Sequence, residues 1–315
     1  MTVISPVAQQ PASFSQRWVK FQKWIPAYSM MVPFLLLFFV FTVWPLLQSF
    51  YLSFTDYTGV AAKQVNFIGF GNFTQLWKDP RFQTAMWNIS RYVILSVAIT
   101  TVIGLILAII FQAQGKLNQI ARTLLFMPSV TSGIATLTIW QFVFRSDKYG
   151  LINSMIVGWG GKPIPFLARP EFYMPLFIFI TVWGGSGMTM IFILAGLKSI
   201  SKELYEAAAI DGATPWQRFW GITLPLLRPT LLYVVTTGMI GAFQLFDMAY
   251  IIGGGGLGSM GGPLDAGLTP VLYLYYLGFT RQHIGMASAL AWMLFGVIIV
   301  ISFINLRVGR FSEDV

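Results

Sequence analysis

The chain has 315 residues, 56% of them hydrophobic and only 10% charged, with a formal net charge of +9 and a mean hydropathy of +0.69. A soluble domain carries about 25% charged residues, so the composition excludes an ordinary soluble enzyme and describes an all-α polytopic integral membrane protein. Cysteine is absent and histidine occurs once, as His283; disulfides and thiolate metal sites are excluded, and that histidine is read as structural.

In chain order, residues 1–26 form a polar tail. Trp18, Phe21 and Trp24 share it with Arg17, Lys20 and Lys23 at similar spacing, the pattern of a helix lying in the membrane interface. A hydrocarbon core of about 30 Å needs about 20 apolar residues per helix. Six windows qualify: 27–52, 92–112, 123–144, 172–197, 230–252 and 284–306. Their runs are continuous rather than alternating, which predicts helices and not barrel strands. The first is too long for a signal-peptide core and no small-residue cleavage site follows it, so it stays as span one. Basic residues precede it, and no acidic residue occurs before Asp56, which places the amino terminus in the cytoplasm. Six crossings return the carboxyl terminus there. Summed over all loops the basic bias is slight, so span one decides the orientation. The basic excess suits anionic lipid headgroups; no Lys/Arg cluster is interleaved with stacking aromatics, and no nucleic acid is expected.

The expected organisation is a cytoplasmic tail at 1–26, a six-helix transmembrane domain at 27–306 and a second tail at 307–315. Its outer loops are 53–87, 145–171 and 253–283, and its inner loops 113–122 and 198–229. Glycines at 253–256 and 261–262 predict a permissive, mobile backbone in the third outer loop; no P-loop Lys-Ser/Thr follows them to make a phosphate cradle. Pro33, Pro45, Pro128 and Pro175 fall in spans one, three and four and predict kinks. Around Trp183, the glycines at 184, 185 and 187 admit two readings, close helix packing or an unwound stretch lining a cavity.

The most polar stretch is 201–225. Ser201 can cap a helix with Glu203 near its positive end. Asp211 and Gly212 supply a stop, and Thr214-Pro215 a restart, so two short helices joined by a tight turn are expected. Trp216, Phe219, Trp220 and Thr223 fall at i, i+3, i+4 and i+7, giving one largely apolar face that can rest on the membrane helices or enter a partner's groove.

Glu206-Ala207-Ala208, three residues, Gly212, nine residues, then Ile222-x-Leu224-Pro225 resembles the EAA loop of bacterial ABC importer permeases, with Asp211 and Ala213 as its usual neighbours. The rest of the chain resembles the carbohydrate branch of that family, of the maltose, trehalose and glycerol-phosphate type. The resemblance rests on Phe67-Ile68-Gly69-Phe70-Gly71-Asn72-Phe73 and on Arg122-Thr123-Leu124 through Pro128 and Trp140. It continues in Tyr149-Gly150-Leu151-Ile152-Asn153, Phe246-Asp247, Gly261-Gly262-Pro263, Thr269, Tyr275-Tyr276 and Gly285-Met286-Ala287-Ser288-Ala289. The expanded glycine stretch departs from the family's single compact Gly-Gly-Pro.

The resemblance implies a type I ABC importer transmembrane domain in a bacterial inner membrane. A second permease, two ATP-binding subunits and an extracytoplasmic sugar-binding protein complete such a complex. The loop at 198–229 becomes its coupling element, with Glu206, Ala207, Ala208, Asp211, Gly212, Leu224 and Pro225 meeting the ATPase. No G-x-x-x-x-G-K-[ST] occurs in the chain, so ATP is expected on a separate subunit; no catalytic residue, metal site or cofactor is expected here. A sugar needs hydrogen-bonding groups and aromatic faces, and Thr181, Trp183, Gly185, Ser186, Gln244 and Asp247 on spans four and five offer them. By resemblance the maltose-type sugar site falls near Thr181, Gly185 and Leu245, two of which lack a sugar-binding side chain. Asp247 is the one charged residue inside any expected span, where charge is costly enough to suggest function. An ion-coupled secondary transporter or channel would need further embedded coupling groups. A permease for a peptide or phosphate ester differs only in cargo.

Overall fold

The computed structural model describes residues 28–59, 64–254 and 260–310, the side chains of 308–310 excepted. The interfacial helix expected in 1–26 and residues 255–259 of the glycine loop lie outside them. The chain divides into two units, 1–52 and 53–315.

In the first unit, α1 (Tyr28–Leu52) is apolar and exposed along its length. Pro45 has no N–H to return to the preceding turn. Ahead of it the helix widens into a π turn, Phe39–Val43, in which the Trp44 N–H reaches the Phe39 carbonyl. The expected disturbance at Pro45 is therefore a one-residue bulge.

The regular structure of the second unit is helical among its described residues, apart from an isolated antiparallel bridge between Thr55 and Phe67. After α2 (Gly71–Lys78), α3 (Pro80–Ile110) starts where the Asp79 carboxylate accepts the Arg81 N–H at 2.8 Å, with Pro80 in the first turn. That is an N-terminal signal, so the second span begins at 80 rather than 92. Its 31 residues reach about 46 Å. The third expected span is not one rod: α4 (Lys116–Val130) and α5 (Gly133–Val143) meet at 94°. Pro128 sits in the last turn of α4, Thr131 is extended, and Gly133 opens the next helix. The segment 145–171, expected as the second outer loop, contains α6 (Leu151–Gly158).

Span four, α7 (Tyr173–Ser199), is continuous. Pro175 lies in its first turn, where a proline breaks no hydrogen bond, so the kink expected there does not form. The backbone from 183 to 187 is helical, so no unwound stretch forms there; Gly187 packs against its neighbour, while Gly185 borders a cavity. A Cβ on Gly187 would overlap the Leu125 carbonyl of α4, and one on Gly104 of α3 would overlap Thr189. Small residues thus let these backbones approach.

Residues 198–229, expected on the inner side, hold α8 (Lys202–Ile210) and α9 (Pro215–Arg218). The second helix is not short. It runs through a π turn, Phe219–Thr223, into α10 (Leu224–Phe243). This turn repeats the device of α1: the Leu224 N–H reaches the Phe219 carbonyl one residue before Pro225. Span five breaks at 244–246 and resumes as α11 (Asp247–Ile252), followed by α12 (Pro270–Tyr275) and α13 (Ile284–Arg310). Among the described residues five helical segments are long and apolar enough to cross a bilayer, or six if the bent α4–α5 pair is one span.

α3 packs most extensively on α7 and then α10, while α4 lies on α7, α5 on α11 and α13 on α10. The N-terminal halves of α3 and α7 share one buried core, around Ile89, Phe177 and Leu272. Their C-terminal halves share another, around Ala108, Ile193 and Leu227, so the two helices run parallel. Buried polar side chains staple the loops. Asn72 donates to the Ser53 and Thr55 carbonyls at 2.9 and 2.8 Å. Asn153 donates to the Arg145 and Ile164 carbonyls at 2.9 and 2.8 Å. Gly261 and Gly262 have φ of 74° and 81°, and a Cβ at either would strike Leu268 or Tyr173. That end of the glycine loop is packed tightly, contrary to the mobility expected of it.

Candidate functional site

Two places gather the residues singled out above. The first is the α8–α9 hairpin. The Ser201 hydroxyl accepts the Glu203 N–H at 3.2 Å. At the other end of α8 the Ala213 N–H bonds the Ala208 carbonyl at 2.9 Å, and Gly212 adopts φ 80°, the left-handed closure that favours glycine. Thr214 and Gln217 form a reciprocal capping box with Pro215 in the first turn, which satisfies two otherwise orphaned donors. A hydroxyl contact of 2.9 Å between Tyr205 and Thr223 fastens α8 to the π turn.

Glu206, Ala207, Asp211 and Gly212 are exposed, whereas Ala208, Leu224 and Pro225 are half-buried. The apolar face expected on the second helix divides: Thr223 is buried and Phe219 half-buried, but Trp216 is 68% exposed and Trp220 stands beside it edge-to-face at 5.6 Å. With Ile210 at 87% exposure, the hairpin presents large apolar groups as well as the exposed carboxylates of Glu206 and Asp211. Beneath it is a cavity of about 360 Å³ lined by Gln112, Leu197, Tyr205, Arg218 and Phe219.

The second place is a cavity of about 410 Å³ between α3, α7 and α10. Thr181 and Gly185 line it. The Thr181 hydroxyl meets that of Tyr92 at 2.6 Å. The other expected pathway residues lie elsewhere. Trp183 packs edge-to-face on Trp140 at 5.2 Å, within an aromatic group that includes Phe144 and Phe179. Ser186 is buried and donates to the Val182 carbonyl of its own helix. Gln244 caps the end of α10, and Asp247 is the exposed first residue of α11. Asp247 thus sits where the helix is interrupted. The Leu245 carbonyl freed by that interruption accepts the Thr269 hydroxyl at 2.7 Å, as backbone at membrane depth requires. Gln141 of α5 likewise donates to the Ile251 carbonyl at 2.9 Å.

The sequence model of the family described as "binding-protein-dependent transport system inner membrane component" matches residues 100–310. The chain belongs to this family. It is 33% identical to the arabinooligosaccharides transport system permease protein AraP of Bacillus subtilis, with 99% of this chain and 97% of that one aligned. It is 34% identical to the lactose transport system permease protein LacF of Rhizobium radiobacter, over 88% and 92% of the two chains. Among solved structures, a chain of a bacterial alginate ABC transporter in complex with an alginate pentasaccharide-bound periplasmic protein has a TM-score of 0.79 at 23% identity, over 94% of this chain and 98% of that one. The fold is therefore the type I ABC importer transmembrane domain, and the protein is a multi-pass inner-membrane permease.

Sequence reasoning passed over one wall of this permease's central cavity. Tyr92, Ser96 and Thr100 on α3 face it together with Val97 and Thr101. Their spacing of four within an apolar run was the available signal, since residues at i, i+4 and i+8 share a helix face.

Proposed function

We propose that this permease forms half of the translocation pathway of an ATP-driven sugar importer and receives its energy at the α8–α9 hairpin. The observation that carries the reading is the continuity of the second helix. From Pro215 through the π turn to Phe243 the chain is helical without interruption, a rod of roughly 40 Å. One end bears the exposed hairpin; further along, Thr237, Gly238 and Gly241 line the central cavity. A push on the hairpin therefore moves a cavity wall directly, and the Tyr205–Thr223 contact makes α8 move with it.

On this reading the hairpin and both termini are cytoplasmic, with tails at 1–26 and 307–315 flanking the permease domain at 27–306. Glu206, Ala207, Ala208, Asp211 and Gly212 meet a groove on an ATP-binding subunit, where Glu206 offers a charge-assisted bond to a basic partner. Leu224 and Pro225 stand at the root of the rod. The complex holds a second permease, two ATPases and an extracytoplasmic binding protein that delivers the sugar. Thr181, Trp183, Gly185, Ser186, Gln244 and Asp247 are the pathway candidates on this chain. A neutral sugar is the cargo favoured by relatives named for arabinooligosaccharides, lactose and trehalose/maltose.

The test is co-purification and uptake. The parent is expected to bring down an ATPase and a second permease and, in proteoliposomes with ATP inside and the binding protein outside, to import at least one of trehalose, lactose and arabinotriose. Glu206→Ala combined with Gly212→Pro is expected to release the ATPase and abolish uptake. An ATPase retained by the double variant, or uptake that persists without ATP and collapses with an ion gradient, would overturn the reading.

A further inference from the structure

An L-amino acid in the left-handed region crowds its Cβ against the following carbonyl, and such strain collects at sites kept for function. Among the described residues three non-glycines have positive φ: Leu264 at 54°, Asp265 at 56° and Gln282 at 62°. Leu264 is the apolar one, and its side chain offers the fold no burial in return, being 87% exposed. The loop nevertheless holds it firmly. The Asp265 N–H bonds the Gly262 carbonyl at 3.2 Å, and the Leu268 N–H bonds the Asp265 carbonyl at 3.0 Å. Asn88 of α3 donates to the Asp265 and Leu268 carbonyls at 2.9 and 3.1 Å. A Cβ on Gly262 or Gly267 would strike Tyr173 at the start of α7, so the loop is seated closely on that helix.

Leu264 is thus a preorganised apolar knob, and its neighbours are charged. Arg81 pairs with the Asp265 carboxylate at 3.4 Å. The turn Pro170–Phe172, which lies against Pro263–Asp265, carries the Arg169–Glu171 pair at 3.8 Å. An apolar centre with a charged rim is the anatomy of a protein interface. Lipid is disfavoured as the occupant, because Arg81 stands about three turns of α3 ahead of the apolar run that begins at Tyr92. The end of the bundle names the partner. Tyr173 opens α7, and the α8–α9 hairpin follows Ser199 at its other end, about 40 Å away. With the ATPase at the hairpin, a protein that meets Leu264 is on the other side of the membrane. We propose that Leu264 is a docking knob for the extracytoplasmic sugar-binding protein and enters an apolar recess on its surface, with Arg81, Asp265, Arg169 and Glu171 at the rim. The rigid loop lowers the ordering cost of docking. This inference rests on the sugar-import reading above.

The test uses the complete importer in proteoliposomes, with ATP inside and, outside, binding protein loaded with trehalose, lactose or arabinotriose. Leu264→Asn removes the apolar group and keeps a residue that accepts the left-handed backbone. It is expected to raise the binding-protein concentration for half-maximal ATP hydrolysis about tenfold. Maximal hydrolysis should stay within about twofold of the parent, and the melting temperature should be unchanged or higher. Leu264→Met, which keeps an apolar tip, should stay nearer the parent. A photo-crosslinking amino acid encoded in place of Leu264 is expected to capture the binding protein, and one in place of Ile210 on the hairpin is not. A parental half-maximal concentration for Leu264→Asn, a lowered melting temperature as its only effect, or photo-adducts at 264 with lipid or the second permease alone would each overturn the proposal. If Leu264→Asn does not assemble, the photo-adduct decides by itself. A parent whose ATP hydrolysis responds to no loaded binding protein overturns the import reading, and this proposal with it, and is distinguishable because no variant is then needed.

Discussion

The α8–α9 hairpin is closed by neighbours: Ser201 by Glu203, Ala213 by Ala208, Thr214 by Gln217. The central cavity is closed by strangers. Its walls come from residues near 96, 185 and 238, and they meet because the helices carrying them, and those packed behind, touch at glycines. The hairpin should therefore tolerate damage elsewhere in the chain and yield to single caps. The cavity should be indifferent to caps and fail when a crossing is forced apart.

Gly187→Val is expected to have the largest effect. The new side chain would occupy the position of the Leu125 carbonyl, which cannot retreat without moving α4, so a loss of about 3 kcal/mol or more is expected from overpacking. Gly184 has open space beside it, and Gly184→Ala serves as the matched control. Thermal unfolding of the detergent-solubilised protein checks the pair. Equal melting temperatures would mean that the α4–α7 crossing does not hold the bundle together.

The same contrast explains what could be read in advance. The caps at Ser201 and Thr214, the stop at Gly212 and the proline start were legible because each is decided within four residues, and the six apolar runs were legible by length. Three things were not. The start of α3 at Asp79-Pro80 is a short-range signal masked by the amphipathic stretch that follows it, so the expected loop ran on to 87. The 94° bend between α4 and α5 looked like one span because hydropathy sums across a break. The cavity hydroxyls of α3 were overlooked because Ser96 and Thr100 are ordinary in an apolar helix until the opposite wall is known. Of the three π turns among the described residues, that at Tyr276–Thr280 precedes no proline, and the other two, Phe39–Val43 and Phe219–Thr223, lie between these cases. Each precedes an X-Pro pair, Trp44-Pro45 and Leu224-Pro225, so the proline marks the place, but only the folded helix shows a bulge instead of a break.

Within the hairpin, Gly212→Ala separates local strain from packing. Nothing lies within 4 Å of the added methyl, so the cost is that of a left-handed alanine, about 1 kcal/mol. Thr214→Ala removes half of the capping box and should cost about 1 kcal/mol as well. Both should leave the melting of the bundle nearly unchanged and lower the sugar imported per ATP hydrolysed in reconstituted importer. A fall in melting temperature as large as that of Gly187→Val would show that hairpin and bundle unfold as one unit and that the contrast drawn here is wrong.

The smallest effect belongs to a loop that lies between the two extremes. Asp56 accepts the Asn66 backbone N–H at 2.7 Å and its side-chain amide at 2.9 Å. The side-chain bond, then the backbone bond, hold its carboxyl below the ordinary value of 3.8. Because folding favours the ionised form, the stability it contributes is fully present above that ordinary value and is lost as pH falls through the lower folded one. Full solvent exposure keeps the contribution small. Unfolding of Asn66→Ala followed against pH should therefore show a slight deficit near neutrality that closes in strong acid. A deficit that grows as pH falls would mean that Asn66 acts on the protonated carboxyl, the reverse of what its two N–H donors allow.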